Sequence, residues 1–173
     1  MKIIDLSQTI HSNMPVYPGD PEVKVSLVHT YKTHSWAIRK LELSTHTGTH
    51  VDAFSHMHAS AASLDEIPLK RFFGEARVVS DKIPLKQGIG LFFTEKISIE
   101  MLDTLLQAKP NFVCGHLTED LERALLANEI ITYTDLINLE QLPFDYSFTF
   151  YGLPLKIQEG DGSPVRAIAI LEE

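Results

Sequence analysis

The stretch Leu43–His58, "LSTHTGTHVDAFSHMH", contains half of the eight histidines of this 173-residue chain. They are His46, His50, His56 and His58, and Asp52 lies among them. Imidazole and carboxylate groups are the ligands that a borderline divalent cation such as zinc or manganese accepts. The alternative is a polar strand end whose histidines only satisfy local hydrogen bonds. The spacing of these residues favours the metal site.

On a strand, residues two apart share a face and lie about 6.6 Å apart, so His50 and Asp52 can approach one ion. His46 and His50 would lie about 13 Å apart on a straight strand, so the chain must bend between them. Gly48 supplies a hinge there. A helix would also put both histidines on one face, but the run "THTGTHV" has low helix propensity. We therefore predict a strand end that leads into a loop and a metal site of His46, His50 and Asp52.

The two remaining histidines of the stretch, His56 and His58, are candidates for proton transfer. An unperturbed imidazole pKa near 6.5 allows either side chain to accept and release a proton near neutral pH. The spacing alone does not choose between them.

Composition predicts one globular domain over residues 1–173, because 44% of the residues are apolar and 22% are charged. The formal net charge of −8 argues against nucleic acid and against an anionic membrane surface as partners. The lone cysteine, Cys114, cannot form an intrachain disulfide, and no segment has the pattern of a signal peptide or a membrane span. A cytoplasmic location is therefore expected.

Alternation of apolar and polar residues predicts a strand-rich chain of the α/β or α+β class. The predicted strands are Lys2–Leu6, Glu22–Thr30, Ser35–Ser44, Glu75–Ser80, Gly90–Thr94, Asn111–Cys114, Phe148–Gly152 and Val165–Leu171. Helical patterns occur in "SIEMLDTLLQAKP", "TEDLERALLAN" and "TDLINLEQLP", which begin at Ser98, Thr118 and Thr134.

Six positions of the histidine stretch match a known signature, His-x-Gly-Thr-His-x-Asp-x-x-x-His. They are His46, Gly48, Thr49, His50, Asp52 and His56. The segments "IDLSQTIHSNMPVYPGDP", "LDEIPLKRFFGEA" and "LPLKIQEGDGSPVRAIAI" look like segments of the same family, in the same order. The chain therefore resembles the cyclase-type metal-dependent hydrolases, which include bacterial kynurenine formamidases.

The resemblance implies an α/β single domain with a mixed, partly barrel-like β-sheet flanked by helices, the swivelling β/β/α fold of that family. It implies that His46, His50 and Asp52 bind metal, with Asp52 often bridging two ions, and that His56 acts as general acid and base. It places Tyr17 in the substrate pocket. It also implies a homodimer or a homotetramer.

The sequence departs from the family at the second pair of metal ligands, which is a histidine followed twelve residues later by a glutamate. Alignment places Glu122 at the histidine position and Thr134 at the glutamate position. Glu122 still offers an oxygen ligand, whereas Thr134 is a poor substitute for a charged bridging ligand. The expected cofactor is therefore zinc or manganese, as one or two ions.

The leading hypothesis is a metal-dependent hydrolase of a small-molecule amide or related acyl bond, similar to an arylformamidase. In it, water activated by the metal attacks the carbonyl and His56 moves the protons. The alternative hypothesis is a non-catalytic ligand- or metal-binding homologue that has lost the second metal half-site. A purely structural metal is a third, weaker possibility.

Overall fold

A computed structural model describes residues 1–79 and 85–172 of the chain. The strands in these residues are β1 (Lys2–Asp5), β2 (Lys24–His29), β3 (Ile38–Glu42), β4 (His50–Asp52), β5 (Phe73–Val78), β6 (Gly90–Phe92), β7 (Phe112–Cys114), β8 (Ile131–Thr134), β9 (Phe148–Tyr151), β10 (Gly162–Pro164) and β11 (Ile168–Leu171). The α-helices are α1 (Tyr31–His34), α2 (Leu102–Ala108) and α3 (Glu119–Ala127). Short 3₁₀ turns cover Phe54–His56, Leu69–Phe72, Ile99–Met101 and Leu139–Gln141.

Nine of the described strands form one mixed sheet, in the order β1-β11-β9-β5-β6-β7-β8-β4-β10. The four central strands β5, β6, β7 and β8 are parallel, and the strands on both flanks pair antiparallel. The sheet curls into a half-barrel. Helices α2 and α3 form the crossovers between β6, β7 and β8. The predicted fold class, an α/β fold with a mixed and partly barrel-like sheet, is confirmed.

Both faces of the parallel strands β6 and β7 are buried. Phe112 and Cys114 of β7 belong to one apolar cluster, and Val113 between them belongs to a second cluster that includes residues of α2 and α3. The first cluster is rich in aromatic rings whose centroids lie 5.0 to 5.7 Å apart, and most of these pairs are edge-to-face. Strands that are buried on both faces carry continuous apolar runs, as "FVC" does here.

All eight predicted strands overlap observed ones, although Ser80 of the prediction Glu75–Ser80 lies outside the described residues. The third predicted helix, "TDLINLEQLP", is wrong. Thr134 ends strand β8, and the backbone angle φ is positive at Asp135 (56°) and Asn138 (59°). Such left-handed residues interrupt a helix, so this segment keeps only the 3₁₀ turn at Leu139–Gln141.

Within residues 1–79 and 85–172, no helix combines the length and the hydrophobicity needed to cross a membrane.

Candidate metal centre and active site

Strand β4 lies between β8 and β10 and carries two of the predicted ligands. His50 and Asp52 point to the same face, and His50 Nε2 lies 3.5 Å from Asp52 Oδ1. Gly48 has a positive φ of 61° and turns the chain before the strand, so that His46 Nδ1–H donates to Asp52 Oδ1 at 2.8 Å. The bend between His46 and His50 is therefore present at Gly48. The predicted strand end and loop are present, because β3 ends at Glu42 and a loop follows it, but His50–Asp52 then forms a short strand of its own.

His56 joins the cluster from the 3₁₀ turn after β4, with its ring centroid 3.9 Å from that of His46. His46, Asp52 and His56 each offer one possible ligand atom, and these three atoms all lie within 4.8 Å of one another. His58 instead donates from Nε2 to the carbonyl oxygen of Arg123, at 2.7 Å. Of the two candidates for proton transfer, the structure thus brings His56 to the cluster and directs His58 elsewhere.

Helix α3 brings Glu122 to the other side of Asp52. The hydroxyl of Thr132 lies 3.1 Å from Asp52 Oδ2 and 3.0 Å from Glu122 Oε1, so it links the two carboxyl groups. Burial and the nearby charge of Asp52 raise the pKa of Glu122 to about 8. Without a bound cation, Glu122 is therefore largely protonated at neutral pH.

Thr134 lies directly opposite His50 in the antiparallel pairing of β4 and β8. Its hydroxyl donates to His50 Nε2 at 3.0 Å, and His50 Nδ1–H donates to the carbonyl oxygen of Gly48 at 2.6 Å. The second bond fixes the tautomer of His50 and leaves the Nε2 lone pair facing the cluster. Thr134 therefore contacts a candidate ligand through a hydroxyl, where the family pattern has a carboxylate.

The histidine protons are distributed unequally. Burial alone would lower the pKa of His46, but the hydrogen bond and charge of Asp52, with a smaller effect of Asp161, raise it overall. The pKa of His56 is lowered, first by burial and then by the charge of His46. Burial also opposes ionisation of Asp52, yet its histidine partners hold the pKa of that carboxyl below its usual value. The lowered pKa favours the neutral imidazole form of His56.

The cluster forms the floor of a cavity of about 840 Å³. Tyr17, with 70% of its surface exposed, lines the wall together with Pro15, Val16 and Asp20. Other parts of the cavity are lined by Met57, Gly115, His116, Leu117, Glu119, Arg123 and Asp135. This volume is within the range of pockets that bind small molecules.

The geometry agrees with comparisons to known proteins. The family model described as "Putative cyclase" matches residues 4–109, more than half of the chain. The chain belongs to this cyclase family. It is 27% identical to a kynurenine formamidase of Salinibacter ruber over 97% of both chains. Its fold is similar to that of isatin hydrolase A from Labrenzia aggregata, with a TM-score of 0.87 at 20% identity, over 99% of this chain and 94% of that one.

A solved structure described as a potential metal-dependent hydrolase with cyclase activity has a TM-score of 0.76 at 20% identity and covers 99% of this chain and 98% of its own. The predicted resemblance to cyclase-type hydrolases is thus confirmed.

The donor atoms of this cyclase-family chain fit a divalent cation. His46 Nε2 is buried and makes no hydrogen bond, although Asp161 Oδ2 lies 3.3 Å away. Both His46 and His50 donate their other ring N–H, to Asp52 and to the Gly48 carbonyl respectively. Ligating histidines typically have such a partner on the second nitrogen. Gly162 permits this arrangement, because a Cβ atom there would lie 2.4 Å from the His46 ring.

Three residues near the centre were not predicted from the sequence: Asp161, Thr132 and Arg123. Asp161 precedes β10 and accepts a hydrogen bond from Thr45, Thr132 lies opposite Asp52 on β8, and Arg123 lines the cavity beside Glu122. Each comes from a segment distant in sequence from the histidine stretch. Only strand pairing and helix packing bring them to the site, and no local spacing signals that.

Proposed function

We propose that this cyclase-family protein is a metal-dependent hydrolase that cleaves the carbon–nitrogen amide bond of a small molecule. The convergence of His46, His50, Asp52 and His56 on the floor of one cavity carries this proposal. The names of relatives, kynurenine formamidase and isatin hydrolase, support amides as the substrate class. Aryl formamides and cyclic aryl amides are the substrates to test first, by analogy, since a shared fold does not determine the substrate.

His46, His50 and Asp52 would hold the cation, and Glu122 would add a carboxylate oxygen as a fourth donor. Zinc and manganese both accept these ligands. A divalent cation bound there supplies Lewis acidity, which polarises a carbonyl and lowers the pKa of water towards neutrality. Binding would also require Glu122 to lose the proton that it carries when the site has no cation.

His56 is the proposed general acid and base. Its lowered pKa favours the neutral imidazole, which accepts a proton from the attacking water while the new carbon–oxygen bond forms. It then delivers that proton to the amide nitrogen as the carbon–nitrogen bond breaks. The products are a carboxylic acid and an amine, and no further reactant is needed.

The wall of the cavity would position the substrate. Tyr17 offers an exposed aromatic ring in the cavity that the cluster also lines, and Met57 and Leu117 add apolar surface. We propose that the aromatic ring of a substrate stacks on Tyr17 while its amide group faces the metal ligands in the same cavity. This orientation suits an aryl amide better than a charged aliphatic one.

The test compares His56→Ala with the neighbouring His58→Ala, because His58 donates to the Arg123 carbonyl and is not among the residues of the cluster. We expect kcat for an aryl formamide to fall at least about 100-fold in His56→Ala. His58→Ala should retain it, and both variants should bind metal as the wild type does. A smaller loss in His56→Ala would contradict the proton-transfer role.

A panel of formamides, lactams and lactones tests the activity itself. We expect turnover that a chelator abolishes and that zinc or manganese restores. A protein that binds these metals tightly but turns over no member of the panel would favour the non-catalytic homologue instead.

A further inference from the structure

Asp161 lies next to His46 but does not line the cavity at the metal centre. Its Oδ2 atom is 3.3 Å from His46 Nε2, whereas His46 Nδ1 is 2.8 Å from Asp52 Oδ1. The two nitrogens of this imidazole ring therefore each face a carboxylate. A role of Asp161 in the site consequently acts through His46 rather than through contact with a substrate.

The main chain and the side chain of Asp161 are both held in place. Thr45 Oγ1–H donates to Asp161 Oδ1 at 2.8 Å, and the Ala53 N–H donates to the Asp161 carbonyl oxygen at 2.8 Å. The next residue, Gly162, begins β10 and packs so closely on His46 that an added Cβ atom would lie 2.4 Å from the ring. These contacts leave Oδ2 as the oxygen of Asp161 that faces His46.

The nitrogen of His46 that faces the other proposed ligands is Nδ1. Asp52 Oδ1 is 2.8 Å from His46 Nδ1 and 3.5 Å from His50 Nε2. Ligand atoms that each lie about 2.1 Å from a zinc ion are roughly 3–3.5 Å from one another. Both distances therefore suit neighbouring ligands of one ion. Without a cation, the Nδ1–H bond to Asp52 joins two of these ligands, and a cation takes the place of that proton.

The Nε2 atom of His46 then carries the remaining proton of the neutral ring. This atom is buried and makes no hydrogen bond to any described residue. A buried N–H group without an acceptor is destabilising, and Asp161 Oδ2 is the carboxylate oxygen beside it. If Nε2 bound the cation instead, the acceptor for Nδ1–H would be Asp52 Oδ1, which is itself a proposed ligand. The geometry therefore favours Nδ1 as the atom that binds the metal.

We propose that Asp161 is a positioning residue of the metal centre. When a cation is bound, Asp161 Oδ2 accepts the Nε2–H of His46 and so directs the Nδ1 lone pair of that ring at the ion. This inference rests on the metal site of the proposed function and adds to it a carboxylate from a segment distant in sequence. A carboxylate behind a ligating histidine fixes the tautomer and the orientation of the ring and makes it a stronger donor.

Zinc titration of full-length Asp161 variants tests this role. We expect Asp161→Ala to lower zinc affinity about 10- to 100-fold, the range found for partners of ligating histidines. Asp161→Asn keeps an oxygen that can accept the Nε2–H, so most of the affinity should return. Asp145→Ala, a matched change at an exposed aspartate that does not line the cavity, should bind zinc as the wild type does. Unchanged affinity in Asp161→Ala, or an equal loss in Asp145→Ala, would overturn the proposal.

A second variant guards against misfolding of Asp161→Ala. Thr45→Val leaves the carboxylate and His46 in place and removes the hydrogen bond that orients Asp161. We expect zinc affinity to fall by up to about tenfold, the equivalent of one hydrogen bond. An affinity that does not change in Thr45→Val would show that the orientation of Asp161 has no effect on the metal, against the positioning role.

Nuclear magnetic resonance of the histidine nitrogens provides a readout that a purely structural role of Asp161 would not change. In zinc-loaded protein, couplings to the ring protons identify the nitrogen that binds the metal. We expect His46 to bind zinc through Nδ1 and to keep a slowly exchanging proton on Nε2, which should exchange faster in Asp161→Ala. Zinc bound through Nε2, or no bound zinc at all, would contradict the proposal. None of these measurements involves turnover, so a zinc-loaded protein with this tautomer that hydrolyses no amide would contradict the proposed function alone.

Discussion

The two halves of the candidate metal centre differ in chemistry and in origin. The β4 half consists of His46, His50 and Asp52, which lie within seven consecutive residues. The α3–β8 half consists of Glu122, Thr132 and Thr134, which come from a helix and the following strand. The first half has three strong metal donors, whereas the second has one carboxyl group and two hydroxyls.

This difference indicates that the two halves have different roles in metal binding. The β4 half has its own hinge at Gly48 and hydrogen bonds within the stretch, so local residues bring its three ligands together. The α3–β8 half contacts the ligands of the β4 half through hydroxyl hydrogen bonds and adds Glu122, whose proton must leave before it can bind a cation. We expect the β4 half to determine whether metal binds, and the α3–β8 half to determine how many ions bind and at what pH.

The largest effect should follow from removing a ligand of the β4 half. We expect His46→Ala to lower metal affinity by more than the 10–100-fold that is typical of residues which only support a ligand. Glu122→Gln should lose at most one ion per chain. Elemental analysis and metal titration of both variants measure this, and equal losses in the two variants would show that the halves are equivalent.

A second effect should appear in the pH dependence of stability without metal. The pKa of Glu122 is raised from 4.5 to about 8 in the folded chain, so its contribution to stability is fully present below pH 4.5 and is lost as pH rises through 8. In chelator, the free energy of unfolding of the wild type should therefore fall over this range more than that of Glu122→Gln, which cannot ionise. Denaturant titrations at several pH values measure this difference. Parallel curves would remove the argument that Glu122 is protonated.

The contrast between the halves also explains what the sequence could predict. The ligands of the β4 half follow from local spacing, since strand parity and one glycine are enough to bring them together. Thr132 and Thr134 acquire their contacts only through the pairing of β8 with β4, which no local pattern specifies. No strand was predicted at β8, and the helix predicted from Thr134 overlaps its last residue. The segment "TDLINLEQLP" has a helical spacing of apolar residues, but two of its backbone positions are left-handed.

The same reasoning applies to the fold. Strands β6 and β7 were predictable because burial on both faces leaves apolar runs in them. Strand β10 contains Gly162 and Pro164, which favour a turn, and it is tolerated because it forms the edge of the sheet. The alternation in β2 and β3 resembles that of strands in the large sheet, so the sequence predicted strands there but not that they form a separate two-stranded sheet. Which sheet a strand joins depends on tertiary contacts.

The smallest effect should come from Thr134, and its expected sign is informative. The Thr134 hydroxyl donates to the Nε2 atom that His50 would offer to a cation, so this hydrogen bond must break when metal binds. Thr134→Val removes that competition, and metal affinity should rise by up to about tenfold, the equivalent of one hydrogen bond. Thr134→Ser keeps a hydroxyl and should behave like the wild type. If metal titration instead showed weaker binding in Thr134→Val, the Thr134 oxygen would count among the ligands, and the α3–β8 half would take a larger share in holding the ion than its chemistry indicates.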